Sequence, residues 1–211
     1  MEVHLSNVLV FGGAFNPPTN AHIELANQAR MFLHYDKVIY VPSKLTYIKY
    51  EQQKDFAFKD DVRLKMLNDI SNDQKWMIVS DYEINQEKQP RTYDTLCFLK
   101  QQGYQPHLLF GSDKLLELET GWKHVEDICH EFGIVCMERN NDDCKQIIEN
   151  DSYLSSLKDD ITLVHTTDSY QSLSSTKIRK LFLEKKYEEI EAYIPKELNG
   201  LKDYSLERDT L

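Results

Sequence analysis

Asn7-Val8-Leu9-Val10-Phe11-Gly12-Gly13-Ala14-Phe15-Asn16-Pro17-Pro18-Thr19-Asn20-Ala21-His22 is the stretch from which the fold can be read. Residues 7–12 are a short apolar run closed by glycine, the pattern of a buried strand, and residues 37–42 repeat it before a loop. Between them residues 20–34 carry Ile23, Ala26, Met31 and Leu33, introduced by two prolines and by Thr19, which can cap a helix. Strand, glycine loop, helix and strand in succession predict the opening unit of an α/β fold.

The alternation continues outward from that unit. Residues 61–70, 93–102, 125–131, 143–149 and 174–193 read as helical, and residues 76–80, 107–110, 133–137 and 161–165 as strands. This order predicts a Rossmann-like α/β fold, a mostly parallel sheet with helices on both faces, whose ligands bind beyond the carboxyl ends of the strands where strand order reverses. No repeat, low-complexity tract or linker interrupts the 211 residues, so residues 1–211 are expected to form a single domain with a C-terminal helical region from about residue 174. Residues 43–59, with Lys44, Tyr47, Lys49 and Tyr50, read as a long polar loop, either an ordinary solvated connection or a flap over a site.

Composition narrows the partners. A formal charge of −10 without a basic stripe disfavours polymeric nucleic acid, whereas a small phosphate-bearing ligand needs only a few local cations. The longest apolar runs are strand-length and the N-terminus shows no charged-then-apolar leader, so a cytoplasmic protein without membrane association is expected. Cys97, Cys129, Cys136 and Cys144 form no C-x-x-C pair and read as reduced thiols rather than metal ligands. Homo-oligomerisation is left open.

Two segments carry phosphate chemistry. Gly12 and Gly13 let the backbone approach a phosphate, and the helix that follows offers N–H groups and a positive dipole end to an anion. Thr19 and His22, three residues apart in the first turn, share one face and can both donate to one phosphate group. In isolation the same residues describe a strand-end turn and a surface histidine. The second segment is Ser172-Leu173-Ser174-Ser175-Thr176-Lys177-Ile178-Arg179, where Ser174 and Ser175 suit an N-cap and Arg179 falls on the same face one turn later. Taken alone it describes a capped helix with an exposed arginine. Phosphoryl chemistry rests on positioning and charge neutralisation, so two such cradles suffice in outline.

Further along, Gly111-Ser112-Asp113 ends a strand where an acid can accept ribose hydroxyls, and Trp122 offers a flat surface to a heteroaromatic ring. Arg91-Thr92-Tyr93-Asp94-Thr95-Leu96 opens a helix. Trp122 as a half-buried structural residue and Asp113 and Thr92 as plain helix caps are the competing readings.

The first segment resembles the signature of the nucleotidyltransferase superfamily, Gly-Gly-x-Phe-x-Pro followed by His or Thr, two residues and His. It departs at Thr19, often histidine, at Ala21, usually glycine, and at Asn16, commonly aspartate. The second resembles Ile-Ser-Ser-Thr-x-Ile-Arg and departs at Leu173. Gly111 to Asp113 with Trp122, Thr92 within Tyr-Thr-x-Asp-Thr-Leu (Arg91 replacing the tyrosine), Lys49 after Pro42, and Arg63-Leu64-Lys65-Met66-Leu67 are similar to the nicotinate and nicotinamide mononucleotide adenylyltransferases. The resemblance runs from Val8 to Gly200.

It implies a Rossmann-like nucleotidyltransferase that transfers the adenylyl group of ATP to nicotinate mononucleotide, giving deamido-NAD and pyrophosphate in NAD biosynthesis. Mg2+ would be bound mainly through the ATP phosphates. His22 and Arg179 would stabilise the transition state, with Thr19 and Lys49 assisting. Gly12, Gly13 and Phe15 would shape the ATP pocket, Gly111 and Asp113 would take a ribose, and Ser175, Thr176 and Ile178 would hold the ATP phosphates. Thr92 and Trp122 would hold the pyridine. The Pro-Thr-Asn-Ala-His run also suits a pantetheine-phosphate adenylyltransferase, and the departures at Thr19, Ala21 and Arg91 also suit a regulatory protein that binds a nucleotide without turnover. The acid and amide forms of the pyridine substrate are not distinguished, although a compact chain is more like the acid-preferring bacterial enzymes.

Overall fold

The computed structural model describes residues 5–53, 56–138, 142–166, 175–198, 201, 204 and 208–210. Eight strands are present among them: β1 Ser6–Gly13, β2 Lys37–Pro42, β3 Phe56–Phe58, β4 Met77–Val79, β5 Tyr104–Gly111, β6 Ile134–Glu138, β7 Ile161–His165 and β8 Arg208–Thr210. Six form a sheet of order β4-β2-β1-β5-β6-β7, and β3 pairs with β8 in a separate two-stranded sheet. The pairs β1/β5, β5/β6 and β6/β7 are parallel. Parallel neighbours need long crossovers, and the helical segments between the strands supply them. The chain runs outward from β1 through β2 to β4 and then starts again at β5 on the other side of β1. That reversal is a topological switch point. The mostly parallel sheet with helices around it matches the architecture expected from the alternating pattern.

The contacts gather into two compact units. One comprises Met1–Phe11, Leu25–Ile39 and Pro90–Gln171. In it β1 registers with β5, Leu9 opposite His107 and Phe11 opposite Leu109. Ile134, Val135, Cys136 and Met137 of β6 are all buried in succession, as a central parallel strand requires when both its faces are covered. At the sheet edge β7 is covered only in part, with Ile161 and Val164 buried and Thr162 and His165 exposed. The helix Val125–Phe132 ends at Gly133, whose N–H bonds to the Ile128 and Cys129 carbonyls at a φ of 73°. A residue without a Cβ serves that termination.

The other unit comprises Gly12–Glu24, Tyr40–Gln89 and Ser172–Leu211. The helix Asp60–Ser71 buries Val62, Met66, Leu67 and Ile70 on one stripe, and the helix Ser175–Leu183 buries Ile178, Leu181 and Phe182. Phe182 packs against Phe56 and Phe58, with ring centroids 5.5 and 5.2 Å away. Two expectations are corrected here. Residues 43–59 are not one polar loop: Tyr47–Glu51 is a π-helical turn that buries Ile48, and Phe56, Ala57 and Phe58 are a buried strand. The helical stretch 174–193 is broken, because Ser175–Leu183 stops where Lys185 takes a φ of 59° and Lys185 and Lys186 donate back to the Phe182 and Leu181 carbonyls. Tyr187–Glu191 then starts afresh. Residues Ser172, Leu173 and Ser174 lie outside the described residues.

Among the described residues no helix is long and apolar enough to cross a membrane. All four cysteines are free thiols, and burial pushes that of Cys129 up to about 12, which keeps it protonated and inert.

Candidate functional site

The second unit contains both phosphate segments. Gly12 and Gly13 close β1, and a Cβ placed on Gly13 would lie 3.4 Å from the Phe15 ring, whereas one on Gly12 would meet nothing within 4 Å. Phe15, itself at a φ of 43°, is buried with its ring edge-on to His22 at 5.3 Å and tilted against Tyr40 at 5.6 Å. The Tyr40 hydroxyl donates to the His22 carbonyl at 3.1 Å. Phe15 is thus a wedge that holds the first turn of the following helix. The glycine beside it makes room for that ring.

Two buried polar side chains fix the loop. Asn16 is 1% exposed, donates through Nδ2 to the Phe56 carbonyl at 2.8 Å and accepts from the Phe58 N–H at 2.9 Å. Its amide behaves as an extra strand residue beside β3. An aspartate there would keep the acceptor and lose the donor. Arg63 is fully buried and donates to the carbonyls of Ala14 at 2.7 Å, Ser43 at 2.6 Å and Phe58 at 3.2 Å. Its ion pair is with Asp60, whose carboxylate also accepts the Leu45 N–H at 2.7 Å. Burial lowers the Arg63 pKa and Asp60 opposes that, so the guanidinium stays charged and holds three chain segments at once. The sequence motif contained Arg63, but its role depends on carbonyls remote in the chain.

Thr19 and His22 are joined rather than parallel. Nδ1 of His22 lies 3.1 Å from the Thr19 backbone nitrogen and 2.8 Å from its hydroxyl, while the His22 N–H donates to that hydroxyl at 3.3 Å. A backbone N–H can only donate, so Nδ1 is the acceptor and the neutral ring carries its proton on Nε2. Thr19, 1% exposed, therefore positions the imidazole. It does not stand beside His22 as a second donor.

The helix start offers less to an anion than the sequence predicts. The Asn20 N–H donates to the Tyr193 carbonyl at 3.0 Å, the His22 N–H is held by Thr19, and the Ile23 N–H bonds to the Thr19 carbonyl at 3.3 Å. Three of the N–H groups at this end are thereby committed to the protein itself.

The second segment meets the first. Ser175 Oγ donates to the Pro17 carbonyl at 3.2 Å, and Arg179 donates through one terminal nitrogen to the Asn16 carbonyl at 3.1 Å and through the other to the Thr176 hydroxyl at 2.9 Å. Two helix beginnings more than 150 residues apart in the chain are thereby brought together. The Ser175 hydroxyl is committed to the protein, while Thr176 is exposed and keeps its own O–H to donate. Ile178 is completely buried, so its side chain belongs to the core rather than to a ligand. Lys49 sits half-buried on the π-helical turn. Its neighbour Lys44 is tied to the Ile84 carbonyl at 2.5 Å.

The remaining residues lie in the first unit. Gly111 ends β5, and exposed Asp113 follows it on the 3-10 turn Ser112–Glu117, anchored by the Ser112 hydroxyl on Asp142 at 2.6 Å. Trp122 is half-buried against Phe110 of β5, centroids 5.9 Å apart. Thr92 begins the helix Thr92–Gln101, which the Arg91 N–H caps through Asp94 at 3.2 Å.

Comparison with known proteins gives one consistent family. The family described as cytidylyltransferase-like matches residues 10–181. A protein of Caldicellulosiruptor bescii named "Probable nicotinate-nucleotide adenylyltransferase" is 31% identical over 179 residues, covering 85% of this chain and 88% of the relative. A protein of Caldicellulosiruptor saccharolyticus with the same name is 30% identical over 181 residues, with the same coverage. Among solved structures, nicotinic acid mononucleotide adenylyltransferase of Plasmodium falciparum superposes with a TM-score of 0.73 at 20% identity, covering 95% of this chain and 96% of that one. A second structure of that protein, complexed with NaAD, gives 0.70 at 20% identity and 95% coverage of each chain. At that identity these two structures establish the fold alone.

Proposed function

Because the chain belongs to the cytidylyltransferase-like family, and within it to the nicotinate-nucleotide adenylyltransferases, we propose that it transfers the adenylyl group of ATP to nicotinate mononucleotide. A phosphate oxygen of the mononucleotide attacks the α-phosphorus of ATP. The new P–O bond forms as the bond to the bridging β-oxygen breaks, and pyrophosphate leaves with that electron pair. The products are deamido-NAD and pyrophosphate.

The observation that carries this reading is the convergence of His22 and Arg179 on the loop between Asn16 and Thr19. His22 donates from Nε2 to a triphosphate oxygen, and Arg179, held by Asn16 and Thr176, neutralises the charge that grows on the leaving pyrophosphate. Thr19 sets the imidazole, and Thr176 and Lys49 add donors. In the other unit Asp113 accepts from a ribose, and Thr92 and Trp122 hold the pyridine ring.

Mg2+ accompanies ATP as the counter-ion of its phosphates. The ATP phosphates would supply most of its ligands, and among the described residues no group of three or more His, Cys, Asp or Glu side chains could hold a metal ion. The relatives' names favour this reading over a pantetheine-phosphate enzyme. A cytoplasmic location fits the two soluble substrates.

The test is a pyrophosphate-release assay of the purified protein with ATP and Mg2+ against nicotinate mononucleotide, nicotinamide mononucleotide and 4′-phosphopantetheine. Turnover is expected with the pyridine nucleotides, nicotinate preferred, and His22→Ala should lower it about a hundredfold or more while the fold persists. Turnover on 4′-phosphopantetheine alone, or ATP binding with no turnover on any of the three, would overturn the proposal.

A further inference from the structure

We infer that Tyr93 and His124 form a clamp that sets the pyridine end of the substrate site, an inference that rests on the function proposed above. Thr92 and Trp122 lie on segments thirty residues apart, and secondary structure alone does not fix one against the other. Trp122 leaves the short helix Leu118–Gly121 in an extended conformation, and the next helix, Val125–Phe132, begins only after His124. The peptide carrying the indole is therefore a brief connection.

His124 is the unusual residue in that connection. It occupies the left-handed region, φ 59° and ψ 33°, which side-chain-bearing residues adopt at a cost. There its imidazole stacks on the Tyr93 ring, with centroids 5.3 Å apart and planes 26° from parallel. From its own helix Asp127 holds Nδ1 at 3.0 Å. Tyr93 makes two more contacts to the same helix: its hydroxyl donates to Glu131 at 2.6 Å, and its ring meets Phe132 edge-on at 5.9 Å.

The consequence follows from adjacency. Tyr93 is the next residue after Thr92, and His124 is two after Trp122. Tying one ring to the other fixes the start of the Thr92–Gln101 helix against the Trp122 peptide, while Phe110 supports the indole from β5. Tyr93 stands at the unspecified position of Tyr-Thr-x-Asp-Thr-Leu, so the clamp is built from this chain's own choice of residues. Both are positioning residues: neither is assigned a contact with substrate.

The experiment is steady-state kinetics, with calorimetric binding of nicotinate mononucleotide alongside. His124→Asn tolerates the left-handed backbone but lacks the ring, and Tyr93→Leu removes the other face. Each is expected to raise the KM for nicotinate mononucleotide about tenfold and to weaken its calorimetric binding equally, with the KM for ATP and kcat within about twofold. Tyr93→Phe keeps the ring and should restore most of what Tyr93→Leu loses. A mere stability role would instead lower kcat and leave both KM values alone, and that outcome overturns the inference. An unchanged nicotinate mononucleotide KM in both variants of an active protein overturns the inference but not the proposed function. If the unaltered protein neither binds nor turns over nicotinate mononucleotide, the two fall together.

Discussion

His22 Nδ1 lies 2.8 Å from the Thr19 hydroxyl, with the Thr19 backbone nitrogen 3.1 Å away, so the residue ahead of the helix decides which nitrogen of the imidazole carries the proton. Phe15 packs on the ring and Tyr40 holds the carbonyl of the same residue. In the role proposed for it, His22 would thus be oriented before any substrate arrives, and preorganisation of that kind is where most of a donor's catalytic value lies.

Thr19→Val tests that orientation. Valine preserves the buried shape but removes the hydroxyl, leaving the backbone N–H alone on Nδ1. Turnover in the pyrophosphate-release assay is expected to fall about 10- to 100-fold, with a smaller change in the KM for ATP, because a loosened donor is a misplaced one. Thr19→Ser should keep most activity. Equal turnover in valine and threonine proteins would contradict the positioning role.

His107 gives a pH-dependent prediction. Burial lowers its pKa below the ordinary 6.5, against a smaller upward pull from the Gln105 backbone. The unfolded chain therefore binds the proton more readily than the folded one, and stability rises with pH across the interval between the two values. The contribution is complete above about pH 6.5 and is lost as pH falls through the folded-state value. Urea unfolding between pH 5 and 8 should show a shallower dependence in His107→Phe than in the parent, by at most about 1.4 kcal/mol per pH unit. Identical slopes would refute it.

Gly133→Ala should destabilise the first unit. The residue has φ 73° and ψ 160°, a region that side chains avoid, and an added Cβ would lie 3.3 Å from the His107 ring. The expected loss is about 1–3 kcal/mol by urea denaturation. A loss below about 0.5 kcal/mol, the size of an ordinary surface change, would mean that the turn relaxes freely.

The elements that sequence predicted best are those whose signal is local. Residues 37–42 and 161–165 are the strands Lys37–Pro42 and Ile161–His165 residue for residue: the first is a nearly continuous buried apolar run, and the second is a short β-branched stretch whose apolar residues Ile161 and Val164 are buried. Phe56–Phe58 was hidden in a polar stretch because three residues make too short a run and their partner, Arg208–Thr210, is far along the chain. Asn16 registered only as a departure from the commoner aspartate, when its side chain in fact pairs with that strand.

By itself the sequence determined the alternation of strands and helices, the two phosphate segments and the family they resemble, because apolar periodicity, glycines and cap residues act over a few neighbours. Tertiary structure alone decided what those residues do to one another. Arg63 became a buried staple, Tyr193 took an N–H of the first helix, Thr19 turned from a second donor into a support for His22, and Arg179 was seated on Asn16. Each of those outcomes depends on a polar group satisfied by a partner distant in the chain, and burial demands such a partner without a local pattern that names it.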